Sequence, residues 1–154
     1  MQRTVRHRFD QFTAEQLFAV ASDIESYPDF IPHCVGARIR RRDGNDLVVD
    51  NLFAAGPARL RFTTHALFDP PRAIDITGTD GPFEHLRIAW RFTPQAGGGT
   101  VAEFTLETRF RRRLMARLSR LVTDHAERRV LDAFRRRAER AYGAGGDQSS
   151  RVDR

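Results

Sequence analysis

An α+β domain in which one long helix closes over a curved antiparallel sheet is the fold class this sequence predicts. Three observations carry that prediction. Between residues 35 and 110, apolar side chains recur at every second position in short runs separated by turn residues, the period of half-buried strands. Between residues 114 and 142 there is no proline or glycine, and the apolar spacing becomes helical. Ahead of the strands stands Tyr27-Pro28-Asp29-Phe30-Ile31-Pro32-His33-Cys34. Its two prolines fix φ near −65° and remove two backbone donors, which predicts neither helix nor central strand there.

The elements follow in order. Residues 3–10 alternate, with Val5, His7 and Phe9 on one face, as in a strand with one buried side. Thr13-Ala14-Glu15-Gln16 fits a capping box, and Leu17, Phe18, Val20 and Ala21 supply the buried stripe of a short helix. Asp23 can cap a second short turn that Pro28 is expected to end. Val35, Ala37 and Ile39 alternate up to Asp43-Gly44-Asn45, a hairpin signal. Leu47, Val49, Asn51 and Phe53 form the next strand, closed by Gly56-Pro57. Leu60, Phe62, Thr64, Ala66 and Phe68 then share a face until Pro70-Pro71. A short strand spans 73–77. Leu86, Ile88, Trp90 and Phe92 share a face in the next, and Ala102, Phe104, Leu106, Thr108 and Phe110 share one in the last. Short turns between successive strands imply an antiparallel meander.

The final helix carries Leu118, Leu121, Val122, His125, Ala126, Val130, Ala133, Phe134, Ala138 and Ala141 on one side, arginines on the other, and Gly143 as a C-cap. Together these elements describe a helix-grip fold. A strongly curved sheet cannot follow a straight helix along its whole length, so a gap lined by the inner faces is expected. In that gap Trp90, Phe62 and Phe104 are expected on the sheet side, Val122 and Phe134 on the helix side, and Phe30 and Pro32 at the entrance.

The 154 residues suffice for one domain with a single sizeable core. We assign it to residues 1–143 and expect the polar, glycine-rich residues 144–154 to form a disordered tail. No apolar run reaches the ~20 residues that span a bilayer, and the N-terminus lacks the basic-then-apolar order of a signal peptide. The single cysteine, Cys34, excludes an internal disulfide, agrees with a reducing compartment, and reads as a small buried thiol. The net charge is +6, and all 26 basic residues are arginine. Such a surface is drawn to anionic lipid headgroups or to RNA, and charge alone does not choose between them.

Catalytic patterns are missing. The five histidines include no i,i+4 pair and there is no Cys-x-x-Cys, which argues against zinc. There is no Gly-x-Ser-x-Gly elbow. Gly97-Gly98-Gly99 precedes a strand rather than a helix, so it reads as a turn and not a phosphate cradle. Glu84 and His85, Asp50 or Glu103 could move protons, but no partner pattern supports them. No recognised nucleic-acid module accompanies the arginine runs at 38–42 and 109–113. We therefore expect no enzyme activity, no metal and no catalytic cofactor.

Tyr27, Pro28, Phe30, Ile31, Pro32 and Cys34 form a Tyr-Pro-x-Phe-hydrophobic-Pro signature ending in Cys. It is followed by Gly81-Pro82-Phe83-Glu84-His85-Leu86 with Trp90-Arg91-Phe92, and by Val130-Leu131-Asp132-Ala133-Phe134 ahead of Ala141-Tyr142-Gly143. In these three motifs the chain resembles the coenzyme Q-binding proteins of the START/polyketide cyclase-like (SRPBCC) superfamily, whose bacterial members are often labelled RatA-type toxins. His33 stands where that family usually has Trp, and Thr108-Arg109-Phe110 where it has Phe-Glu-Phe. The resemblance implies a START-like helix-grip domain whose hydrophobic tunnel holds ubiquinone or another polyprenyl lipid as bound ligand and not as catalytic cofactor. It implies a quinone carrier or chaperone supporting respiration, in the cytoplasm and peripherally on the inner membrane of a bacterium, drawn there by anionic lipid. Ligand contacts would come from Tyr27, Phe30, Pro32, His33, Phe62, Leu86, Trp90, Phe104, Leu118, Val122 and Phe134, with His33 able to donate to a quinone carbonyl at the entrance. The alternatives are a cyclase/aromatase-like enzyme and a toxin that associates with the ribosome.

Overall fold

The computed structural model describes residues 2–112 and 126–143. Leu118, Val122, His125, the start of the long helix and the 144–154 tail lie outside the described residues. Among the described residues seven strands form one antiparallel sheet in the order β1-β7-β6-β5-β4-β3-β2. They are β1 Gln2–Phe9, β2 Cys34–Asp43, β3 Asp46–Ala55, β4 Ala58–Asp69, β5 Ala73–Gly78, β6 Phe83–Pro94 and β7 Thr100–Phe110. Helix α1 covers Ala14–Ser22, and α2 is described over Ala126–Tyr142. The sheet is the expected meander, with β1 added beside β7.

Register explains the core. Ile74 faces Trp90, Trp90 faces Phe104, and Phe104 faces Val5. Residues directly opposite in neighbouring strands share a face, so this row crosses four strands on the inner side. Helix α1 starts as expected: Thr13 N–H donates to Gln16 Oε1 (2.9 Å) and Gln16 N–H to Thr13 Oγ1 (3.1 Å). It buries Leu17 and Ala21 completely. Helix α2 buries Leu131, Phe134 and Ala138 at helical spacing and packs on β1, β7 and α1. Its far end is tied down by Tyr142, whose hydroxyl donates to the Gln16 carbonyl (3.0 Å).

One boundary differs from the sequence reading. A 3₁₀ turn runs over Ile24–Asp29 and contains Pro28, which was expected to end it. A φ near −65° suits 3₁₀ as well as α geometry, so Pro28 costs the turn only its own missing N–H, and Phe30 N–H still closes on the Tyr27 carbonyl (3.1 Å). Glu25 in this turn accepts the Ile39 N–H of β2 (2.9 Å). Strand β2 is irregular, with bulges between Cys34 and Gly36 and between Ile39 and Arg41.

Buried side chains fall into two clusters. The larger joins Phe9, Leu17, Phe18, Trp90, Phe92 and Phe134 under the helices, and the smaller joins Phe62, Phe83, Leu86 and Phe110. Ile88 and Leu106 pack against both. The smaller cluster is positioned by the turn before β6. Gly81 there has φ +57°, and a Cβ would lie 2.4 Å from the Arg61 carbonyl oxygen, so glycine is required sterically as well as conformationally. Arg111 grips this turn, donating from Nε to the Gly81 carbonyl (2.7 Å) and from its guanidinium to that of Thr79 (3.0 Å). Asp80 accepts the Thr63 N–H (2.8 Å). No described helix is long and apolar enough to cross a membrane.

Candidate functional site

The segment between the 3₁₀ turn and β2 is held by its own backbone. Phe30 N–H (3.1 Å) and Ile31 N–H (2.7 Å) both reach the Tyr27 carbonyl, and Cys34 N–H reaches that of Ile31 (3.2 Å). His33 takes a left-handed conformation, φ 68°, which is uncommon outside glycine and asparagine. Its carbonyl accepts the Ala54 N–H (2.8 Å), which fastens the segment to β3.

Where the two clusters meet, the inner face encloses a cavity of about 140 Å³. The preceding segment contributes Ile24, Tyr27, Ile31, Pro32 and His33 to its wall, and β3 contributes Asn51 and Phe53. Leu60, Phe62 and Thr64 of β4 and Ile76 of β5 follow. Strand β6 adds Phe83, Leu86, Ile88 and Trp90, and β7 adds Phe104, Leu106, Thr108 and Phe110. Helix α2 adds Ala126, Arg129 and Val130. The exposed members of this wall, His33 and Arg129, mark where it meets solvent.

Seven of the residues singled out in the sequence line the cavity: Tyr27, Pro32, His33, Phe62, Leu86, Trp90 and Phe104. Two others do not. Phe134 is fully buried against Trp90 (4.5 Å between ring centroids), Phe9 and Phe92, so it fills the main core rather than the helix side of the gap. Phe30 packs edge-on against Tyr27 (5.5 Å) with the Arg137 guanidinium over its ring (5.5 Å), outside the entrance it was expected to shape. Phe53, Leu60, Ile88, Leu106, Thr108 and Phe110 also line it, and in the sequence only their places in the alternating runs point to that. Nothing in the sequence marked Arg129, which belongs to the charged side of α2.

The polar groups of the wall are few, and most are committed elsewhere. Asn51 Nδ2 donates to Thr64 Oγ1 (3.0 Å) and to the Phe62 carbonyl (3.2 Å). The Tyr27 hydroxyl donates to the Ala21 carbonyl, and burial pushes the phenol above its ordinary range. Trp90 is 1% exposed, and its indole N–H is buried without an acceptor at bonding geometry, although the Tyr27 hydroxyl lies close by. Cys34, adjoining the segment, is a buried thiol pushed up to about 11 by that burial. His85 and Glu84 are exposed and outside the cavity, with His85 4.0 Å from Glu107. Among the described residues no three His, Cys, Asp or Glu side chains gather as a metal site. The arrangement can enclose an apolar ring and exclude water from it.

Known proteins share this architecture. The chain is 29% identical over 143 residues to the ribosome association toxin RatA of Vibrio cholerae, an alignment covering 93% of this chain and 99% of that one. It is 24% identical to the mitochondrial coenzyme Q-binding protein COQ10 homolog B of Xenopus laevis, over 86% of this chain and 56% of the relative. The crystal structure of the Zhui aromatase/cyclase from Streptomyces sp. R1128 superposes with a TM-score of 0.71 over 95% of this chain and 99% of that chain at 20% identity, a likeness of fold. Residues 11–135 match the family described as polyketide cyclase / dehydrase and lipid transport. That match spans most of the chain, and the chain belongs to this family.

Proposed function

We propose that the protein binds a polyprenyl quinone, or a related prenyl lipid, in the cavity and carries it without acting on it chemically. The observation that supports this reading is the cavity, a ring-sized space walled by aromatic and aliphatic side chains from five strands and two flanking segments. Burying an apolar ligand there contributes ~25 cal/mol per Å² removed from water. A relative named for coenzyme Q binding points the same way. Cyclisation would require groups that exchange protons with the substrate. Among the described residues the ionisable groups of the wall are Tyr27, whose phenol burial keeps protonated, and the rim residues His33 and Arg129. That set suits holding a ligand more than transforming one.

The test is direct. Protein purified from a quinone-producing bacterium, extracted with organic solvent and analysed by mass spectrometry, is expected to release substoichiometric ubiquinone or another prenyl lipid. Protein that is lipid-free and also fails to take up added quinone in detergent would remove the carrier reading. A second reading, association with ribosomes, is favoured by the nearly full-length alignment with relatives named RatA and by the exposed Arg128, Arg129, Arg136 and Arg140 of α2. Salt-sensitive co-sedimentation with ribosomal particles, absent with anionic vesicles, would establish it instead.

A further inference from the structure

The tryptophan in the cavity wall has an unmet need. Its ring is clamped by Phe134 at 4.5 Å, Phe104 at 4.7 Å and Phe92 at 5.9 Å between centroids, so the indole cannot turn to find a partner. Its N–H is buried and unbonded, a state that native interiors rarely leave uncorrected. The neighbouring Tyr27 hydroxyl gives its own proton to the Ala21 carbonyl, and its oxygen stands beside the indole N–H as a poorly aligned acceptor. A bound water there needs two to four polar partners, and apart from Tyr27 the indole's ring neighbours are phenylalanines. A carbonyl oxygen arriving through the cavity would give the donor the aligned acceptor that the Tyr27 oxygen does not supply at bonding geometry.

Size points in the same direction. A dry apolar cavity of roughly 150 Å³ accommodates one benzene, and this one is about 140 Å³. The described part of the wall therefore matches the size of one ring, and an isoprenoid chain would extend beyond it. The exposed rim at His33 and Arg129 leads outward, whereas Trp90 adjoins the main core.

Building on the carrier reading, we propose that the cavity takes its ligand ring-first, with a carbonyl oxygen of the ring accepting the Trp90 Nε1–H and the prenyl tail passing out between His33 and Arg129. This reverses the placement in which His33 receives the head group at the entrance. The ligand class is a prenylated ring that carries an acceptor oxygen, and Trp90 is a specificity-determining residue that discriminates it from an equally apolar ring without one.

Trp90 is the only tryptophan of the chain, so the ¹⁵N-labelled protein gives a single indole N–H signal. Two soluble probes are titrated against it: ubiquinone with one prenyl unit, and prenylbenzene. The expected result is that both move the methyl signals of Leu86, Ile88 and Leu106, while only the quinone shifts the indole N–H downfield. Trp90→Phe is expected to weaken quinone binding about tenfold, the worth of one hydrogen bond, and to leave prenylbenzene binding nearly unchanged. If the methyls respond to quinone and the indole stays still, or if the indole responds alike to both probes, the ring lies elsewhere and the ring-first proposal is overturned while the carrier reading stands. If neither probe moves the methyls, the cavity is not a ligand site and both readings fall. The titration uses wild-type protein, so it decides the matter even if Trp90→Phe does not fold.

Discussion

At the scale of the residue, Cys34 is 5% exposed, and its thiol lies 3.6 Å from the Gly36 carbonyl as a weak donor. Burial raises it from an ordinary 9.0 to about 11, and burial moves Tyr27 in the same direction. The folded state therefore holds both protons more tightly than the unfolded chain does. The stability linked to Cys34 is complete below about pH 9 and is lost as pH rises toward about 11. Urea midpoints measured at stepped pH should be level near neutrality and fall through that window, and Cys34→Ala should flatten part of the fall. A midpoint that stays level to about pH 11 would contradict this burial. Not every residue was equally open to reading. Burial of Cys34 was legible from its type and the apolar run around it. The left-handed backbone of His33 was not, because it answers to the Ala54 contact, which lies far along the chain.

Among the elements, strands were the most legible. Alternation identifies the inner face of each strand without reference to its partner, and every strand of the meander is present. Depth along that face was less legible. Phe134 and Val130 lie on the same side of α2, yet one is sealed in the core and the other borders the cavity. Periodicity reports direction, whereas the edge of a void depends on how far sheet and helix diverge. The turn before β6 gives a test of how the cavity's far wall is built. Arg111 makes two bonds to its carbonyls, and Phe83 and Phe110, stacked at 5.2 Å, stand on either side of that clasp. Arg111→Ala is expected to destabilise the fold by about 1–3 kcal/mol in urea. Unchanged stability would mean that Gly81 and Asp80 hold the turn unaided.

For the whole molecule, the excess of arginine is distributed unevenly. Arg87 and Arg91 are engaged with Asp75, and Arg87 also with Glu107, on the outer face of the sheet. Arg128, Arg129, Arg136 and Arg140 of α2 are exposed. If those side chains dock the protein on a membrane, each contributes ~1 kcal/mol near an anionic surface and is screened within a Debye length. Flotation with anionic vesicles at low salt should carry the protein upward and neutral vesicles should not, with binding lost as salt rises. Equal flotation on both would exclude an electrostatic contact.

The sheet is open, and its strand order leaves β1 and β2 as its two margins. A margin offers unpaired amides to any extended chain that drifts alongside, which is how globular proteins begin to polymerise. Strand β2 is poorly suited to such growth. Its two bulges break the regular spacing of amides, Glu25 already occupies the Ile39 N–H, and Arg38, Arg41 and Arg42 add like charge along the strand. The same irregularity that turns this strand away from a straight path thus keeps the β2 margin of a protein with an apolar interior space from recruiting further copies strand by strand.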